Sequence, residues 1–256
     1  MSVEAGERRQ RIIAHTRDRG RVEVSDLAQR LGVSHETVRR DLTKLERSGM
    51  IRRTHGAAYP IDNAGFESTL DLRSNQLIRE KQRIAEAAFD LIGDATTIHV
   101  DEGFTSLLVA ERVVKSQRPM TVVTPSLPAG TLLAGSDPVT VIMLGGELRR
   151  PTLGTIGHWV SEMISTLVID EALLGANGIS IARGLTTPNP AVSEIKGTVV
   201  ARTRRRMFVG DHTKFGVETF SRFAEVRHFE ALVTDSGLTA YAARRYSAPG
   251  PLVHRV

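Results

Sequence analysis

The sequence predicts an α/β protein in two parts: a small N-terminal winged helix-turn-helix domain, then a larger α/β domain on a mainly parallel sheet. Three observations carry this. The whole formal excess of +5 lies on the first sixty residues, which hold 13 Lys/Arg against 8 Asp/Glu; residues 61–256 hold 21 of each. Residues 33–45 read VSHETVRRDLTKL, an amphipathic helical pattern with a basic outer face. From Leu77 onward, short β-rich runs alternate with helical ones, as in a parallel sheet with helical crossovers. A cluster of Pro, Asn and Gly at 59–65 breaks any regular pattern, placing domains at 1–58 and 77–256 with a linker over 59–76.

In chain order, a first helix is expected over residues 5–17, burying Ile12 and Ile13. Ser25 opens a second, SDLAQRL, with Leu27, Ala28 and Leu31 inward, and Gly32 makes the tight turn that follows. Ser34 caps the third helix, with Thr37 three residues on, and Val38, Leu42 and Leu45 form its buried seam. Glu36, Arg40, Thr43 and Arg47 lie opposite that seam, flanked by Thr37, Arg39 and Lys44. Such a helix suits the DNA major groove. Short residues at its start let it approach base edges, and arginine can pair with guanine in bidentate fashion. Residues 50–56 read as a strand and wing tip, paired with 21–24. The candidate DNA contacts are Ser34, His35, Glu36, Thr37, Arg39, Arg40, Lys44, Arg52, Arg53 and His55. A merely solvated face with pairs such as Glu36–Arg40 would account for the helix alone. It does not account for the preceding helix, the glycine turn and the wing. A localised positive field is also what binding to a phosphate backbone requires.

In the larger domain a helix is expected from 77 to Gly93. Strands follow at 96–100, 120–124, 139–144, 171–175, 206–209 and 231–234. The intervening helices are 106–115, 127–134, 158–167, 190–203 and 239–246, with Asn189 and Pro190 at a cap and first position. Ligands of such sheets bind beyond the strand C-termini. The loops there, 101–106, 124–126, 145–147, 175–178 and 211–214, are rich in Gly, Thr, Ser and Asp and include one lysine. Singly they are ordinary turn chemistry; together they suit a phosphate or a polyol.

Cysteine is absent, which excludes disulfides, thiolate metal sites and thiol catalysis. The eight histidines show no metal-ligand spacing, so neither metal nor cofactor is expected. The N-terminus has no signal-peptide apolar core, and the longest uncharged run, 119–136, holds three prolines. No membrane partner is expected, and the cytoplasm is the expected location. One recognition helix reads only a few base pairs, so a homo-oligomer is expected. Trp159 suits either a core position or a subunit contact.

Several motifs are shared with one known family. They are VSHETVRRDL, RTHGAA, Glu80-Lys81 followed by Ile84-Ala85, Asp101 with Gly103, LGGELR, GLTTPNP, and Asp211-x-x-Lys214-Phe215. Over nearly its whole length the chain resembles the DeoR-type bacterial transcriptional regulators. The resemblance implies a C-terminal domain like that of the ribose-5-phosphate isomerase and glucosamine-6-phosphate deaminase group, turned from catalysis to sensing. It implies a repressor of a carbohydrate or nucleoside catabolic operon. Such a repressor leaves its double-stranded DNA operator when a small, phosphorylated sugar binds. By position it implies effector contacts from Asp101, Gly103, Thr105, Ser106, Thr124, Gly145, Gly146, Asp211 and Lys214, with no catalytic residue. Glu194 and Lys196 are weaker candidates, because they do not share a helix face. The alternative is a sugar-phosphate isomerase or deaminase with an appended DNA-binding module, since Asp211 and Lys214 are right for proton abstraction. The chain departs from the family where Glu102 and Phe104 replace small residues, and where Thr124-Pro125-Ser126 loses an amide. Glu102 is expected to turn to solvent, leaving Gly103, Thr105 and Ser106 to an anion; facing the pocket, it would oppose one.

Overall fold

The computed structural model describes residues 5–19, 21–47, 50–54, 56–60, 70–74 and 76–256. The chain divides into two compact units at Gln76/Leu77.

The first unit runs α1 (Ala5–Arg19), β1 (Val22–Glu23), α2 (Val24–Leu31), α3 (His35–Arg47), β2 (Ile51–Thr54), β3 (Ala57–Pro60) and α4 (Leu70–Ser74). Ile12, Leu27, Val38, Leu42, Leu45 and Ile51 meet in one dry core, so the three helices share a single apolar centre. Gly32 ends α2 at φ 63°, a left-handed position natural to glycine. α2 begins one residue earlier than Ser25, and its N-cap position, Glu23, makes no side-chain cap. The strands form a small antiparallel sheet in the order β1-β3-β2. Tyr59 and Pro60 therefore complete a wing strand rather than interrupting the chain. Proline is tolerated at this strand end, where β1 among the described residues pairs with Ala57 and Ala58. Residues 61–69 and 75 of the expected linker lie outside the described residues.

The second unit begins with α5 (Ile78–Leu91), β4 (Thr97–Val100), α6 (Phe104–Ser116), β5 (Met120–Thr124), α7 (Leu127–Leu133) and β6 (Val139–Met143). A short ribbon, β7 (Glu147–Leu148) and β8 (Thr155–Ile156), precedes α8 (His158–Ser165), β9 (Ile169–Leu174), β10 (Gly178–Ser180), β11 (Gly184–Thr187) and α9 (Pro190–Arg202). Then come β12 (Thr203–Val209), β13 (Ser221–Ala224), β14 (Ala231–Thr234), α10 (Ala240–Ser247) and β15 (Leu252–Arg255).

Seven strands make one sheet in the order β15-β14-β12-β9-β4-β5-β6, with every neighbouring pair parallel. Both faces are buried, so alternate residues serve opposite cores. Val122, Leu173, Val209 and Val233 pack with α5, α6 and α7. Val123, Leu174, Phe208 and Leu232 pack with α8, α9 and α10. This double burial is why the strands read as continuous apolar runs. From β4 the chain steps outward through β5 and β6, then returns to β9 on the other side of β4. Open parallel sheets bind ligands at such a reversal, which here falls between the ends of β4 and β9.

The arginines 204–206, on β12, face carboxylates of neighbouring strands. Arg204 meets Asp170 (3.2 Å), Arg205 meets Glu171 (3.4 Å) and Arg206 meets Glu230. Burial pushes the Glu171 carboxyl up to about 7, with Arg205 opposing and Glu230 adding. A carboxyl raised from 4.5 contributes stability that is complete below that value and lost as pH climbs through about 7. Urea unfolding should show native stability falling across this window by on the order of 3 kcal/mol, with Glu171→Gln removing most of the slope. An unchanged slope in the variant would discard this assignment.

Candidate functional site

On α3, the Ser34 hydroxyl accepts from Thr37 N (3.2 Å) and bonds Thr37 Oγ1 (2.9 Å), so these two residues fix the start of the helix. His35, Glu36, Arg39, Arg40 and Lys44 are exposed on its outer side, and Arg39 lies 3.9 Å from Glu36, a loose pair. Asp41 points the other way. It is buried, with its carboxylate 2.5 Å from Nε of Arg8 on α1, and so locks the helix to the body of the unit. Arg53 is partly committed. Its guanidinium donates to Thr43 Oγ1 at 2.7 Å and lies 3.7 Å from Glu46, and the side chain is only 29% exposed. It docks the wing strand on α3 instead of standing free for phosphate. The side chain of Arg52, and His55 entirely, lie outside the described residues.

In the second unit the strand-end crevice is built around buried charges. Asp101, just past β4, accepts from Gly175 N at 2.8 Å and pairs with Nζ of Lys196, which also donates to the Gly175 carbonyl at 3.0 Å. Lys196 reaches across from α9 to join the ends of β4 and β9 over the switch point. Glu194 is exposed and takes no part. Asp211, past β12, accepts from the amide (3.1 Å) and hydroxyl of Thr213 and lies 3.9 Å from Nζ of Lys81 on α5. Burial pushes the Asp211 carboxyl up, but Lys214, Thr213 and Lys81 together outweigh it and hold it below the usual range. Lys81 also sits 5.7 Å above the Phe104 ring, so Phe104 seats this lysine. Phe215 packs edge-on against Phe208 and Tyr246, which holds the 211–215 loop on the sheet.

Gly103 takes φ 116° ahead of α6, a conformation that favours glycine, and no side chain caps this helix. Thr105 and Ser106 occupy its first turn. Thr124 is fully buried, and its hydroxyl donates to the Val100 carbonyl (2.6 Å) and accepts from Ser126 N (3.1 Å), so it braces the end of β4. Gly145 and Gly146 lie past β6, three strands from β9, beside Trp159 and Met163. At Gly146 a Cβ would overlap the carbonyl of Ile156, so packing alone demands glycine there. Trp159 is 71% exposed, which excludes a core role within the chain.

The expectation for Glu102 is overturned. Its side chain is buried. Oε2 accepts from Thr152 Oγ1 (2.6 Å), and Oε1 lies 3.3 Å from Arg149 on the ribbon after β6. Burial pushes its carboxyl up; Lys196, Thr152 and Arg149 oppose this, and Asp101 adds to it. Among the residues that sequence reasoning undervalued, Lys81 stood only in a shared motif and Lys196 only as a weak candidate. Asp41, visible within VRRDL, drew no attention because an acid on a basic helix reads as surface. His99 beneath the crevice is held neutral: burial lowers it to about 4, against Asp101 and with Lys196.

Residues 8–64 match the DeoR-like helix-turn-helix domain, and residues 76–236 match the DeoR C terminal sensor domain. The chain is 30% identical to the HTH-type transcriptional regulator GlpR of Haloferax volcanii, over 96% of both chains. It is 28% identical to the regulator GolR of Listeria innocua, over 95% of this chain and 96% of that one. With a putative aga operon transcriptional repressor of Escherichia coli O157:H7 the identity is 27%, over 91% and 87%. Among solved structures, ribose 5 phosphate isomerase A of Neisseria gonorrhoeae aligns over 54% of this chain and 53% of its own, at 20% identity and TM-score 0.39. The full-length relatives are transcriptional regulators, and the chain is a regulator rather than an enzyme. It belongs to the DeoR family of DNA-binding transcriptional regulators.

Proposed function

We propose that the chain represses a carbohydrate or nucleoside catabolic operon in the cytoplasm and leaves its operator when a small phosphorylated sugar enters the crevice. The observation that carries this reading is the pairing of two features in one chain. One is a basic helix face with a buried acid on its reverse. The other is a strand-end crevice lined by Lys81, Lys196, Asp101 and Asp211. Lys81, Lys214 and the uncapped start of α6 suit an anionic group, while Asp101 and Asp211 suit hydroxyls. Relatives named as repressors of the aga operon and of a lactose phosphotransferase system point to sugar catabolism. Two or more copies are needed, since a single recognition helix covers only a few base pairs.

Operator binding by α3 is tested by salt-titrated affinity measurements. Arg40→Ala should cost about 1–3 kcal/mol on the specific operator and far less on random DNA. Arg53→Ala should weaken both alike, because it loosens the wing from α3. Equal losses for Arg40→Ala on both DNAs would remove it from base contact. Release is tested by adding a panel of sugar phosphates and their unphosphorylated parents to the operator complex.

A further inference from the structure

Around Glu102 the ribbon after β6 builds what amounts to an anion cradle. Arg149 contributes a guanidinium, Thr152 a hydroxyl, and Gly154 the space, since a Cβ at Gly154 would overlap Glu102 Oε2 itself. All three converge on one carboxylate. The ribbon is pinned in place by Leu127 N to the Leu153 carbonyl (2.9 Å), and by the Thr155 hydroxyl, which donates to Leu144 O at 2.7 Å. It therefore holds the cradle at a fixed distance from β4. A guanidinium, a hydroxyl and a glycine gap are what a phosphoryl or carboxyl group of a ligand would require. Here the chain supplies the anion from the first crevice loop, next to Asp101 and the start of α6.

We propose that Glu102 is a specificity-determining residue: a resident carboxyl group that fills the Arg149–Thr152–Gly154 cradle and withholds it from the effector. The inference deepens the effector reading above by locating the ligand's charge. Across the crevice Lys196 is matched by Asp101, and Arg149 by Glu102. Asp211 stands beside both Lys81 and Lys214. An anionic group on the effector is met there, by Lys81, Lys214 and the first turn of α6. Arg149 contributes nothing to it.

The probe is inorganic phosphate, titrated by calorimetry into the full chain at fixed ionic strength. Glu102→Ser empties the cradle and should raise phosphate affinity by roughly tenfold or more, the effect of one freed charge-assisted contact. Adding Arg149→Met to Glu102→Ser should abolish the gain. Equal phosphate affinity in the native chain and in a folded Glu102→Ser would overturn the proposal, as would a gain that survives Arg149→Met. Should Glu102→Ser not fold, the native chain decides by NMR. The Arg149 Nε–H resonance should stay fixed through the phosphate titration, and a saturable shift would overturn the proposal. Failure of the effector reading would appear separately, as an operator complex that no sugar phosphate dissociates.

Discussion

Asp41→Ala should unfold or loosen the N-terminal unit and abolish operator binding, although Asp41 points toward α1 and not to the exposed basic face of α3. Its carboxylate lies 2.5 Å from Arg8, with the two side chains 5% and 11% exposed. Breaking a buried ion pair costs up to about 3–5 kcal/mol, and here it also removes the link between α1 and α3. A small helical unit with one apolar core cannot absorb that loss readily. Asp41→Asn keeps an acceptor for Arg8 and should fall between the two. Urea unfolding followed by circular dichroism, alongside operator affinity, measures both effects. Normal operator affinity in Asp41→Ala would mean that α3 is held by its apolar seam alone.

The second large effect is expected at Lys196. Lys196→Met leaves Asp101 buried with only the Gly175 amide as a partner among the bonds described, and should cost about 3–5 kcal/mol of the second unit's stability. Asp101→Asn in the same chain should recover part of this, because the two residues form one buried pair. The N-terminal unit has its own core, so operator binding should persist while release by the effector is lost. Additive costs in the double variant would show that the pair is not energetically coupled.

The recognition helix was legible from its helical period, and the parallel sheet from its continuous apolar runs. Val38, Leu42 and Leu45 repeat at helical spacing, and the strands are apolar on both faces. The small antiparallel sheet of β10, β11 and β13 was not legible, nor was the β7–β8 ribbon, because these short segments form neither an apolar run nor an alternation. β15 escaped for a similar reason: its alternation is weak at the exposed edge of the sheet. At the crevice, Asp101 and Asp211 followed from their place at strand ends. Lys196 did not, since its partner lies 95 residues earlier and only the tertiary fold brings a helix lysine over the switch point. Glu102 was misjudged for the same physical reason. Whether an acid at a strand end faces water depends on what covers it, and the cover here is a ribbon about fifty residues further on.

On the proposed reading, a ligand at the strand ends governs DNA binding by α3. It is tested most directly by selecting genomic fragments with the purified chain, footprinting the best one, and titrating sugar phosphates into that complex. The expected result is a footprint over two half-sites, affinity that falls steeply with salt, and release by one sugar phosphate that no longer releases Lys196→Met. A footprint on one half-site, or an operator complex indifferent to every sugar and sugar phosphate tested, would contradict it.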